Sequence, residues 1–190
     1  WDVQNIKTVM RGKSFGANWE EVSEDLVPAG AFDLRFFAAL FSCATLEEMA
    51  DQIRHASPGE EPVMARLLGS GGKPGQSDIE NAMDKEYFTA LMRSVPEGIP
   101  ANRIFRRYLA AEIDHVNLKT LFKLKFENVA LEKVQELMIG CGEELSPAIL
   151  SKLSAAENFE AFLAELSTTK LFEGIREAAG RVQSTGSLND

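Results

Sequence analysis

Two cysteines, two histidines and no long apolar run set the first limits on this chain. Cys43 and Cys141 stand far apart and each histidine is alone in its stretch, so neither a local zinc motif nor a disulfide-rich scaffold can be assembled. Both thiols are expected as small buried hydrophobes in a reducing compartment. The longest uncharged stretch in an apolar neighbourhood, from Phe36 to Leu46, is about half of the roughly 20 apolar residues a transmembrane helix needs, and it reads as a buried helix. Basic charge is also scarce, with 20 Lys and Arg against 29 Asp and Glu and a net charge of −9. Nucleic acid is thereby disfavoured as a partner, because affinity for phosphate backbones comes largely from cations and no basic face dominates. The chain opens at Trp1 without initiator Met, basic leader or apolar signal core, and reads as a fragment cut within or just before a helix of a longer protein. Its 190 residues, 45% hydrophobic, can build one large or two small cores.

What is present is helical periodicity. Alternating runs of Val, Ile, Thr and aromatics are absent, which predicts an all-α fold. From Ala101 to Phe126 the residues Ile104, Tyr108, Ala111, Leu118 and Phe122, with His115 in their row, have the three-four spacing of one face of a long helix. His115 is expected in a core or interface on that face rather than as a pH sensor. Thr45 with Glu48 and Ser77 with Glu80 match the capping box, and Ser146-Pro147 matches a helix entry with proline in the first turn. Breaks are predicted at Pro28–Gly30, Ser57–Gly59, Gly69–Gln76 and Pro96–Pro100, with a frayed tail from Gln183. The glycine-rich stretch from Gly69 fails as a phosphate loop: Pro74 follows Lys73 where Ser or Thr is needed, Leu67 stands where the first glycine belongs, and the residues before it read as helix rather than strand.

The strongest signal is internal. Asp2, Asn5, Lys7, Thr8 and Lys13 recur as Asp114, Asn117, Lys119, Thr120 and Lys125 at an offset of 112. The match runs on through Val22 with Val134 and Leu26–Gly30 with Met138–Gly142; after one inserted residue, Leu40 meets Leu153, Thr45 meets Asn158, and Leu46, Met49 and Ile53 meet Phe159, Phe162 and Leu166. This period is too long for the short helical solenoid units. It reads as a duplication, with a first helical bundle over 1–98, its N-terminal helix truncated, and a second over 99–190 that contains a long helix at about 101–126. Asp and Asn three residues apart share a helix face, and flanked by apolar residues they are expected to bond backbone groups of a neighbouring element. Acid-base chemistry by Asp84, Asp114 and Lys119 is the opposed reading, and no nucleophile, His or glycine-rich loop accompanies them. Gly12, inside the first copy, costs about 1 kcal/mol of helix propensity relative to Ala.

The doubled motif Asp-x-x-Asn-x-Lys-Thr-x-x-(Arg/Lys)-x-Lys, with Glu80-x-x-Met83-Asp84-x-x-Tyr87-Phe88-x-x-Leu91 and Glu112-Ile113-Asp114, resembles the C-subunit family of archaeal and bacterial A/V-type ATP synthases, counterpart of the d subunit of eukaryotic V-ATPases. The resemblance implies three similar helical bundles arranged as a funnel, of which this chain would hold about two. It implies a non-catalytic central-stalk part without cofactor or metal, peripheral on the cytoplasmic side of the membrane proteolipid ring. Such a part receives the D and F subunits of the rotor shaft and couples ATP synthesis or hydrolysis to proton or sodium transport. A generic helical protein-binding scaffold is the alternative. Arg103, Arg106 and Arg107, with Lys119, Lys123 and Lys125, make the long helix basic inside an acidic chain; either local glutamates pair with them or they dock an acidic partner.

Overall fold

The computed structural model describes residues 1–57, 61–71, 73–126, 134 and 136–185. Among them the regular structure is α-helical without strands, so the chain is all-α. We number the helices α1 (Asp2–Phe15), α2 (Trp19–Glu24), α3 (Leu34–Ser42), α4 (Leu46–Ala56), α5 (Val63–Gly69), α6 (Gln76–Ser94), α7 (Asn102–Phe126), α8 (Pro147–Ala155), α9 (Phe159–Leu166) and α10 (Leu171–Thr185). None is long and apolar enough to cross a membrane.

Most helix starts follow from local chemistry. Asn18 and Glu21 form a reciprocal capping box at α2. Asp33 accepts from the Phe36 amide at 2.9 Å, a bond that holds its carboxyl below the usual range. Ser146 precedes Pro147 and accepts from the Ile149 amide, and Asn158 accepts from Ala161 at 2.8 Å. Thr45 caps α4 at the Glu48 amide, while the Glu48 carboxylate reaches one residue further back than expected, to the Ala44 amide. The Ser77–Glu80 box does not form. Helix α6 starts at Gln76, the Asp78 carboxylate takes the Gly75 amide at 2.9 Å, and Glu80 turns to Gln76 and Arg11. With α6 beginning at Gln76, Asp78 is its third residue, where the capping-box acid belongs, and Glu80 its fifth, so Asp78 takes the cap amide.

The stretch from Phe36 to Leu46 is not one buried helix. Helix α3 stops at Ser42 and α4 starts anew behind the Thr45 cap, leaving Phe37 and Leu40 buried and Leu34 half exposed at 48%. Cys43 is partly covered and burial pushes its thiol up, whereas Cys141 is exposed. The expectation of two buried thiols therefore fails at Cys141, which sits at φ 72° in the loop between Gly140 and Gly142. Helix α10 continues through Gln183 to Thr185, past the predicted start of fraying. The predicted Ser57–Gly59 break coincides with the end of α4 at Ala56, although 58 and 59 lie outside the described residues.

The chain divides into two compact units, Trp1–Tyr87 and Phe88–Asp190, the division falling within α6. The first unit packs Val9 and Met10 of α1 against Phe37, Leu40, Met49 and Ile79. The second packs Leu121 of α7 against Leu145, Leu153, Phe162 and Leu166, with a smaller cluster of Phe88, Ile113 and Ile139. Each such side chain contributes about 1.5–3 kcal/mol on burial. On α7 the buried stripe is Leu109, Ile113, Leu118, Leu121 and Leu124; of the predicted row Leu118 is buried and Phe122 packs against the core, but Ile104 is 82% and Tyr108 57% exposed, and Ala111 and His115 are exposed too. The helix carries two apolar stripes, and the core takes the one rich in leucine and isoleucine that also brings Asp114 and Asn117 inward.

Gly12 has a packing reason. A Cβ there would lie 2.2 Å from Val22 Cγ2, so glycine lets α2 approach α1.

Candidate functional site

The recurring polar residues of α1 and α7 are anchors for backbone. In the first unit the Asp2 carboxylate accepts from the amides of Ala31 (2.8 Å) and Phe32 (3.2 Å). One turn on, the Asn5 side chain donates to the Val27 carbonyl at 2.8 Å and accepts from the Val27 amide at 3.0 Å. At the end of the helix the Lys13 ammonium meets the Phe41 carbonyl. Together these fix the loop between α2 and α3 and the end of α3 onto α1.

The second unit repeats this wiring, with one more carbonyl at its lysine. The Asp114 carboxylate accepts from Glu144 (2.6 Å) and Leu145 (3.0 Å) amides, Asn117 exchanges two 2.8 Å bonds with the Ile139 peptide, and the Lys125 ammonium donates to the carbonyls of Ser154 and Ala156. Asp114 and Asn117 are fully buried here, at 0% and 1% exposure. Burial pushes the Asp114 carboxyl above its ordinary range against the pull of three backbone amides, and pushes the Lys125 ammonium below its own. Partners shift from an offset of 112 (Val27 to Ile139) to 113 (Phe32 to Leu145), so the inserted residue is Glu143. Two glycines complete the device. A Cβ on Gly30 or on Gly142 would lie 1.9 Å from the Asp2 or Asp114 oxygen, so the loop meets the carboxylate only where no side chain intervenes. These glycines align with each other in the sequence, and their recurrence at the motif's own offset was the available signal for their role.

Lys7 and Lys119 differ. Lys7 is buried, with its ammonium 2.7 Å from both carboxylate oxygens of Asp84 on α6, and beside it Arg11 pairs with Glu80. Desolvation alone would raise the Glu80 carboxyl, but the bonds from Arg11 and Gln76 outweigh it and the group ends below its usual range. Lys119 is exposed and has no ion pair or hydrogen bond among the described residues. The reactive reading of Asp84, Asp114 and Lys119 finds each carboxylate already occupied, one by Lys7 and one by amides. Among the described residues no three His, Cys, Asp or Glu side chains converge as a metal site.

The three arginines flank a surface depression formed with Glu97–Pro100. Arg106 is half-buried and staples the end of α6, donating to the Met92 and Val95 carbonyls and pairing with Glu97 at 2.6 Å. Arg107 pairs with Glu143 at 2.8 Å, and Arg103 is exposed. The stapling by Arg106 had no sequence signal beyond its charge.

The family described as ATP synthase (C/AC39) subunit matches residues 1–189. The C subunit of the A-type ATP synthase of Methanosarcina acetivorans is 32% identical over 95% of this chain and 48% of its own length. The protein of that name from Archaeoglobus fulgidus is 34% identical over 82% of this chain and 43% of its own, and that from Methanocaldococcus jannaschii 27% identical over 99% and 47%. The chain thus spans about half the length of the curated relatives it matches. With a match along almost all of its residues, the chain belongs to the ATP synthase (C/AC39) subunit family.

Proposed function

We propose that this chain is part of a non-catalytic central-stalk subunit of a rotary A/V-type ATP synthase, which couples the D–F rotor shaft to the membrane proteolipid ring. It serves as a peripheral component on the cytoplasmic side, and its two units are tandem copies of one helical bundle. The observation that carries this reading is the doubled set of anchors, Asp2, Asn5 and Lys13 and again Asp114, Asn117 and Lys125, in a chain of this family. A part that passes torque has to resist shear between helices. Charged side chains bonded to the peptides of the next element, with good geometry and little solvent, supply such resistance without any reactive group. Exposed Arg103 and the exposed aromatic pair Phe105 and Tyr108 on α7 are candidate contacts for the shaft or ring. The test is capture of the full-length protein by a purified D–F shaft and, separately, by the detergent-solubilised ring. Association with both is expected, and failure to associate with either overturns the proposal.

A further inference from the structure

In the first unit, side chains of α6 reach one face of α1. Lys7 takes Asp84, Arg11 takes Glu80, and Ile79 and Met83 of α6 enter the core beside Met10. At the offset of 112 the matching face of α7 carries His115, Lys119, Phe122 and Lys123. Among the described residues His115 and Lys119 on that face are exposed, and Phe122 is half-buried with its ring edge-on to Phe159 and Phe162, where Lys7 and Met10 are buried at 5% and 2%. Every other motif residue that anchors backbone in the first unit does so in the second, so among the described residues the two units differ in the acid-bearing helix, not in the wiring. The same offset places the counterpart of Asp84 past Asp190, and the relatives are about twice the length of this chain.

We propose that Lys119 anchors an interface for a third acid-bearing helix, supplied by the full-length polypeptide beyond Asp190, which reaches α7 as α6 reaches α1. The proposal rests on the tandem-copy reading. The helix carries an Asp or Glu immediately after one apolar residue and five positions after another, as Asp84 follows Met83 and Ile79. A carboxylate is required because covering the Lys119 ammonium with apolar surface alone would strand a charge. Charge complementarity points the same way, with the exposed Lys119 ammonium set in an acidic chain.

The experiment is amine-reactive footprinting of the full-length protein, isolated from shaft and ring, with each lysine normalised to its rate in the denatured chain. Burial beneath the downstream helix and pairing with its acid shield the amine, so Lys119 is expected to react at about a tenth of the rate of exposed Lys152 and close to buried Lys7. Replacing the acid of the downstream helix by its amide restores the exposed rate at Lys119 and leaves Lys7 slow. Reaction of Lys119 at the rate of Lys152 overturns the proposal. So does protection that appears only when other components of the complex are added, which would assign this face to a different protein. Neither result depends on whether the protein binds shaft or ring.

Discussion

Asp and Asn are nearly isosteric, yet exchanging them in α7 should break the second unit twice over, with opposite pH dependence. Asp114 uses both carboxylate oxygens as acceptors, for the Glu144 and Leu145 amides. Asp114→Asn retains one acceptor and turns an NH2 group against an amide hydrogen. The loss of one charge-assisted bond and the stranding of a donor come to about 2–4 kcal/mol. Asn117 both donates to the Ile139 carbonyl and accepts from the Ile139 amide. Asn117→Asp sets a buried anionic oxygen against a carbonyl oxygen, again about 2–4 kcal/mol at neutral pH. Hydrogen exchange on the full-length chain reads both directly: protection at Glu144 and Leu145, or at Ile139, falls by about one and a half to three orders of magnitude. The slopes separate the mechanisms. A protonated carboxyl at 117 offers one donor and one acceptor, as the amide did; its folded pKa lies above the unfolded one, so the Asn117→Asp deficit grows as pH rises from about 5 to about 8. Wild-type Asp114 is itself raised by burial, so its contribution is largest at low pH, and the Asp114→Asn deficit shrinks as pH rises. An Asn117→Asp variant as protected as wild type at high pH, or deficits with the same slope, would refute this account.

Gly142→Ala drives a methyl into the Asp114 carboxylate and is expected to destabilise by about 2 kcal/mol or more, whereas Gly174→Ala in the open interior of α10 should be neutral or stabilise by up to about 1 kcal/mol; thermal melts that rank the two the other way contradict the packing. Lys7→Met or Asp84→Leu alone strands a buried charge at about 3–5 kcal/mol, and the double variant should recover most of it; a double-mutant cycle with additive costs would deny the pair. The Glu80 carboxyl is lowered in the folded state, so its contribution is present above its ordinary value and is lost as pH falls through the folded one; Glu80→Gln should flatten the acid limb of a stability profile, and an unchanged limb would count against the Arg11 pairing. The Ser154 hydroxyl is buried with no partner among the described residues, so Ser154→Ala is expected to raise stability by about 1 kcal/mol, a loss being the contrary result.

The polar framework was readable from sequence because repetition exposes it: a polar residue that recurs among apolar neighbours at a fixed offset has a partner to satisfy. What the anchors hold was not readable, since the peptides of Val27, Ala31 and Phe32 carry no side-chain signature. The buried stripe of α7 was partly misread because two apolar rows run along that helix and periodicity alone does not say which one meets a core. Ser77 matched a cap by spacing, but Gly75 and Asp78 compete within the same turn. The break at Cys43 was hidden inside an uncharged run. It is marked by Thr45, whose preference for capping over helix interior outweighs the hydrophobicity around it.

Anchoring side chains to backbone has a consequence for sequence drift. A pair of side chains, such as Lys7 with Asp84, survives only if two positions are kept together. Asp114, Asn117 and Lys125 each bind peptide groups, which every residue type other than proline provides in full. Their partners at Glu144, Leu145, Ile139, Ser154 and Ala156 can therefore change identity without loosening the frame, provided Gly142 stays small. A scaffold held this way keeps its geometry with one fixed position per bond, which suits a chain whose relatives share only about a third of its residues.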